Sequence, residues 1–333
     1  MGGICLYIFL VYFFHWGTAR SLLGSTQTFA VCWSICFFVL AILLRAFKWT
    51  LILRRRDYVP WKIGYDTIMI SNVVNYIFPI RFGEVLKLYI INKAGKIPYS
   101  SSASATLVDR FSQLLVMLLF LFLTPAAGFV FSDWSSRFIV ILVICLLLSV
   151  SLFIFGSRLL TIFSGWLRDI LLLLRVDQGK LKHLSDAKLI SLCRETMENI
   201  NILEFSKWDL VIISLLSVII ILVDGICYYF IIKAFGISIS WLQGALAACF
   251  MNLMFILPTP PAQVGTAEMY PVLIFSWGLG LPSANISSAA ILWHLLTSVV
   301  FAVLGLVSAM SLGLSLGDML RKPPRRYIEK QAL

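Results

Sequence analysis

Six stretches of this chain, near 4–22, 27–53, 105–131, 136–157, 208–235 and 286–316, are apolar for about 20 residues or more. A helix rising ~1.5 Å per residue needs about that length to cross a ~30 Å hydrocarbon layer. One soluble core cannot bury so many such runs in 333 residues. Composition agrees, with 60% hydrophobic and 13% charged residues, against about 45–50% and ~25% in soluble domains. Disordered, fibrous, disulfide-scaffold and ordinary soluble-enzyme classes are excluded. The expectation is an all-α polytopic membrane protein with a single integral membrane domain over 1–333. The first run lacks a basic leader and a small-residue cleavage site, so it reads as a short span rather than a signal peptide.

Two further apolar runs, 65–92 and 240–282, are interrupted midway. The first break is Phe78-Pro79-Ile80-Arg81-Phe82-Gly83-Glu84, and the second runs from Leu257 and Pro258 through Gly265. An interior proline costs ~3 kcal/mol and stops or kinks a helix, leaving halves too short to span. Lys and Arg set the orientation. Arg54, Arg55, Arg56 and Lys62 place one end of the first broken segment in the cytoplasm, and Lys93 and Lys96 place the other end there too. That segment must enter and return, as a re-entrant hairpin. Segment 240–282 begins and ends on the opposite side and forms a second one. The basic linker 158–207, amphipathic over 159–175, and the basic tail 317–333 are assigned to the cytoplasm, as are both termini. The net charge of +11 is thereby spent on topology, and nucleic-acid binding is not expected.

The two broken segments match in order. Asn75, Pro79, Gly83 and Glu84 correspond to Asn252, Pro258, Gly265 and Glu268. Each segment follows a full span and precedes another, and Arg110 and His294 lie at equal distances after Glu84 and Glu268. Repeat 1 covers about 27–131 and repeat 2 about 208–316. Their topologies are inverted, the pattern of transporters whose sites lie near the midplane.

Ionisable residues within hydrocarbon are costly and mark function. Arg81, Glu84 and Lys87 form a ladder after Pro79, and with the free N–H groups of a half-helix they suit a phosphate. The plainer reading is a local salt-bridge ladder. Asp109 and Arg110 diverge by ~100° on a helix, so they serve different partners. Glu268, with Gln263 nearby, has no local cation; Arg81, Lys87 and Arg110 are its candidate partners. Asp224 also lacks a local partner. Asp224 and His294 are candidates for proton coupling, against structural hydrogen bonds as the alternative. Arg45 and Lys48 read as snorkelling anchors. The seven cysteines are scattered with no CxxC, and the three histidines are far apart, so no metal or cofactor is expected. No P-loop or nucleophile motif occurs, which argues against ATP hydrolysis within the chain.

Asn75 through Glu84, the Asp109-Arg110 pair and the break from Pro258 to Glu268 together resemble the integral membrane region of lysylphosphatidylglycerol synthetases, the flippase-like family. The resemblance covers roughly 27–316. Departures are a glycine-poor second break, Asp109 where Glu is commoner, and His294 where Arg is common. The family's appended synthetase domain is not within these 333 residues, so the resemblance implies lipid movement without aminoacylation. It implies a phospholipid or polyprenyl-linked lipid as substrate, in a plasma or inner membrane, with homo-oligomer formation left open. Arg81, Glu84, Lys87, Asp109, Arg110, Glu268, Asn75, Asn252 and Gln263 would form its binding site. A membrane-embedded transferase or accessory protein, or a proton-coupled solute transporter, is the alternative.

Overall fold

The computed structural model describes residues 27–78, 82–123, 127, 206–255 and 259–313. The expected spans 4–22 and 136–157, the linker 158–207 (save its last two residues) and the tail 317–333 lie outside them, as does Arg81. The described residues form helices and no strands. Their order is α1 (Thr28–Arg54), α2 (Trp61–Ile77), α3 (Phe82–Gly95), α4 (Tyr99–Leu121), α5 (Lys207–Ala234), α6 (Trp241–Met254), α7 (Thr266–Pro271) and α8 (Ser283–Ser311). A 3-10 turn, Pro261–Gln263, precedes α7, and a π turn, Val272–Trp277, continues it.

Four helices, α1, α4, α5 and α8, are long and apolar enough to cross a membrane. Their outward faces carry exposed Phe29, Leu43, Leu215, Leu222, Leu295 and Val303, which suits hydrocarbon rather than water as the surrounding medium. Helix α4 starts at Tyr99 rather than near 105. Pro98 sits just before it and fixes the entry of the chain, so the serine-rich stretch joins the helix. There each hydroxyl can return a hydrogen bond to the preceding turn, as Ser104 does to the Ser100 carbonyl (2.7 Å).

The breaks fall where proline predicts them. Helix α2 ends at Ile77, and α3 begins at Phe82. The two pack on each other through Ile70, Val74, Leu86 and Ile90. Gly83 permits this approach, because a Cβ there would stand 2.1 Å from the Ser71 carbonyl oxygen. In the second half, α6 ends at Met254, and Ala262 (φ 53°), Gln263 (φ 55°) and Gly265 (φ 83°) turn the chain before α7.

Helices α1 and α5 make the longest contact and run antiparallel. The Gln27 N–H donates to the Ala234 carbonyl (3.1 Å). Further along, Ser34 Oγ donates to the Cys227 carbonyl (2.8 Å), and Arg55 pairs with Asp209 (2.5 Å) at the far end. The remaining packing is repeated across the two halves. Helix α2 lies on α1 as α6 lies on α5, and α3 meets α4 as α7 meets α8. Helix α2 crosses to α8, and α6 crosses to α4. Each half therefore completes its partner. One buried apolar cluster spans α5 to α8 and the end of α4, and a second joins α1 and α2 with Ile91, Val108 and Ile213.

Aromatic and basic groups gather at equivalent ends. Arg54 stacks over Trp61 (4.5 Å) after α1, and Trp241 stacks on Tyr229 (4.2 Å), which Lys233 also approaches, after α5. Such groupings suit membrane–water interfaces.

Candidate functional site

A cavity of about 240 Å³ opens where the two halves meet. Charged groups from both halves reach it: Arg45 of α1, Glu84 of α3, Arg110 of α4 and Asp224 of α5. Asn72, Asn75 and Tyr76 of α2 face Asn252 of α6, and Gln263 and His294 complete the polar wall. Phe38, Tyr228 and Trp293 supply the apolar part.

The equal spacing of Glu84–Arg110 and Glu268–His294 is a structural relation. Each pair is 26 residues apart, and each pair is in contact. In the first half, the Arg110 guanidinium donates to Glu84 Oε1 and Lys87 Nζ donates to Glu84 Oε2 (2.8 Å). Asn75 Nδ2 lies 3.5 Å from Glu84 Oε1. Lys87 is 1% exposed behind this group, with its ammonium 5.0 Å from the Trp49 ring centre. Arg110 instead keeps 43% of its side-chain surface open. One carboxylate thus faces two cations, one buried and one presented to the cavity.

In the second half, His294 Nδ1 is 2.5 Å from Glu268 Oε1, and the Gly265 N–H donates to Glu268 Oε2 (2.8 Å). The Glu268 carboxylate therefore closes the N-terminus of α7 and holds the histidine at the same time. His294 Nε2 is 3.0 Å from the Ala262 carbonyl and also meets the Tyr76 hydroxyl, which contacts Ser298 Oγ (2.5 Å). Both ring nitrogens face oxygen acceptors. Ala262 and Gln263, consecutive non-glycine residues in the left-handed region, hold this carbonyl in place at a cost typical of functional loops.

The site differs from the sequence expectations in several partners. Glu268 takes His294 rather than Lys87 or Arg110, because α7 packs directly on α8; Arg81 lies outside the described residues. Asp224 is answered across the central seam by Arg45. Lys48 is no snorkelling anchor. It is 1% exposed, paired with Asp109 (3.1 Å) and bonded to Ser217 (2.8 Å). Antiparallel α1–α5 packing brings both cations inward. Asp109 and Arg110 do diverge, the one toward Lys48 and the other toward Glu84. Lys87, Asp109 and Glu268 stand behind the cavity wall, whereas Glu84, Arg110, Asn75, Asn252, Gln263, Asp224 and His294 line it.

Sequence reasoning missed Asn72, Tyr76, Tyr228, Thr259 and Trp293 as lining residues. Polar residues one turn from Asn75 or beside His294 were the available signal. Among the described residues no group of His, Cys, Asp or Glu is arranged to hold a metal ion.

A family model described as the lysylphosphatidylglycerol synthase TM region matches residues 1–305. Over 99 residues the chain is 31% identical to glycosyltransferase AglD of Haloferax volcanii. That match covers 29% of this chain and 16% of the length of that relative. No solved structure matches the chain.

Proposed function

Because the chain belongs to the lysylphosphatidylglycerol synthase transmembrane-region family, we propose that it carries a lipid headgroup between the leaflets of the membrane in which it sits. The observation that carries this reading is the polar cavity between the halves. Arg45, Arg110 and Asp224 reach it from long apolar helices, and Glu84 reaches it from α3. A headgroup crossing hydrocarbon unaided would leave its charges without partners, at several kcal/mol each. A path lined by paired charges and amides lowers that barrier while the lipid chains stay in the bilayer.

In this reading the broken segments α2–α3 and α6–α7 are re-entrant hairpins that enter from opposite faces, with both termini in the cytoplasm. The two halves then rock against each other about the α1–α5 seam to expose the cavity to each leaflet in turn. Arg110 holds the phosphate, and the Glu84–Lys87 and Glu268–His294 groups keep the wall neutral as contacts exchange. Phospholipids and polyprenyl-linked lipids both fit a plasma or inner membrane location.

The match to a glycosyltransferase favours one second reading, an accessory or membrane-embedded part in transfer to lipid-linked substrates. One experiment separates the two. The purified chain is reconstituted in proteoliposomes with headgroup-labelled lipids, and leaflet exposure and lipid mass are followed. Transport predicts exchange that Arg110→Ala and Glu268→Gln abolish, with lipid mass unchanged. A new lipid mass on adding sugar donors, without leaflet exchange, sinks the transport reading.

A further inference from the structure

We infer that His294 is a proton-operated clamp on the second break. It fastens the turn between Pro260 and Gly265 to α8 when its ring carries two protons, and releases that turn when the ring carries one. The clamp does not depend on what the cavity carries, so it stands or falls apart from the transport reading.

The ring has three oxygen neighbours for two nitrogens. Nδ1 lies 2.5 Å from Glu268 Oε1, and the other oxygen of that carboxylate accepts the Gly265 N–H (2.8 Å). A carboxylate held in this way is an acceptor, so it draws a proton onto Nδ1. Nε2 stands between two unlike oxygens. The Ala262 carbonyl (3.0 Å) can only accept, whereas the Tyr76 hydroxyl can also donate. A ring with its one proton on Nδ1 presents a lone pair at Nε2. That lone pair takes the Tyr76 O–H, and the Ala262 carbonyl faces it without a donor. A second proton, taken up from solvent, reverses this. Nε2–H then donates to the Ala262 carbonyl, and the Tyr76 O–H turns to Ser298 Oγ (2.5 Å). Ser298 Oγ is able to accept, because its own proton goes to the His294 carbonyl (2.5 Å). The exchange needs one proton and one hydroxyl rotation.

The Ala262 bond matters because the turn is strained and has few other ties. Ala262 (φ 53°) and Gln263 (φ 55°) are non-glycine residues in the left-handed region, which persists only where the surroundings hold it. The Gln263 N–H donates to the Pro260 carbonyl (2.9 Å) and Thr266 Oγ1 to the Gln263 carbonyl (2.9 Å), both within the turn itself. Among the described residues, the contact of Nε2 with Ala262 is the hydrogen bond that joins the turn to α8. Gln263 lines the cavity, so a turn that lets go moves a cavity wall. The ionisable groups around the ring leave Glu268 as the one that answers its charge. Tyr76 comes from α2, and Tyr228, Cys227 and Asp224 come from α5. Asp224 is taken by Arg45 of α1, and across the cavity Glu84 is taken by Arg110 and Lys87. The 3-10 and π turns bring no ionisable side chain.

Two measurements on the full chain in lipid nanodiscs test the clamp, separate from any transport assay. The first is nitrogen-15 NMR of histidine-labelled protein carrying His15→Gln and His183→Gln, which leaves His294 as the remaining histidine. The ring should carry one proton, on Nδ1, at about pH 8 and two protons at about pH 5. The second is hydrogen–deuterium exchange of the backbone amides of 262–266, corrected for the intrinsic pH dependence of exchange. These amides should exchange at least about fivefold more slowly at the lower pH, where the Ala262 carbonyl has its donor. His294→Gln should remove that difference. A neutral ring with its proton on Nε2 would supply Ala262 at every pH and overturns the clamp. So does a ring that keeps one protonation state between about pH 5 and pH 8, or a pH-dependent exchange that survives in His294→Gln. The NMR measurement retains the native His294, which keeps the test decisive if His294→Gln does not fold.

Discussion

Arg45 and Asp224 sit 179 residues apart and form an ion pair across the central seam. Removing one partner of a buried pair strands the other and costs roughly 3–5 kcal/mol, whereas replacing both with apolar groups costs far less. Asp224→Leu should therefore lower the Tm in detergent markedly, and Arg45→Met with Asp224→Leu should recover most of the loss. A double substitution as damaging as the sum of the singles would show that the pair is not coupled. At this scale the sequence carried the identity of the unusual residues but not their partners. An Asp or Glu in an apolar run is conspicuous, so Glu84, Asp224 and Glu268 stood out. Arg45 and Lys48 were masked by their position, two turns inside a run that ends in Arg54, Arg55 and Arg56. Only the α1–α5 contact turns them inward.

Element boundaries near proline were legible, because a missing N–H and a ring clash act locally. Hence α2 stops before Pro79 and α6 before Pro258. Close helix contacts were less so, since a glycine in an apolar run announces no neighbour. Gly225 of α5 and Gly244 of α6 lie against each other. A Cβ at Gly225 would stand 2.6 Å from the Ala245 backbone nitrogen. A Cβ at Gly305 of α8 would instead meet the end of the Val73 side chain at 2.1 Å. Backbone cannot yield as a side chain can, and small residues allow such approaches in membranes. Gly225→Ala should thus destabilise by about 1–3 kcal/mol, clearly more than Gly305→Ala. Thermal unfolding of the two variants checks the order, and the reverse order would contradict the α5–α6 contact.

Across the whole molecule, the paired order of Asn, Pro, Gly and Glu predicts two related halves, and among the described residues α2 lies on α1 as α6 lies on α5. What the sequence withheld is the crossing, in which α2 lies on α8 and α6 on α4. Contacts between distant segments leave no periodic trace in either. The proposed topology makes a test at this scale. In a variant without the seven native cysteines, Tyr58→Cys and Lys96→Cys should react with an impermeant maleimide from one face. Ser238→Cys should react from the other. Labelling of all three from the same face would rule out opposite entry of the two hairpins.

The seam also bears on how the chain is made. Arg45 and Lys48 leave the ribosome long before their partners. Lys48 waits 61 residues for Asp109 and Arg45 waits 179 for Asp224. At about 5–20 residues per second, the longer interval is roughly 10–40 s. A basic residue opposes insertion by about 2.5–3.5 kcal/mol at the centre of a span and by less toward its end, where Arg45 and Lys48 sit. Helix α1 is therefore a poor candidate for early, independent release into lipid. The pairing predicts that its integration completes only when α5 emerges beside it, with the two unmatched cations sheltered until then.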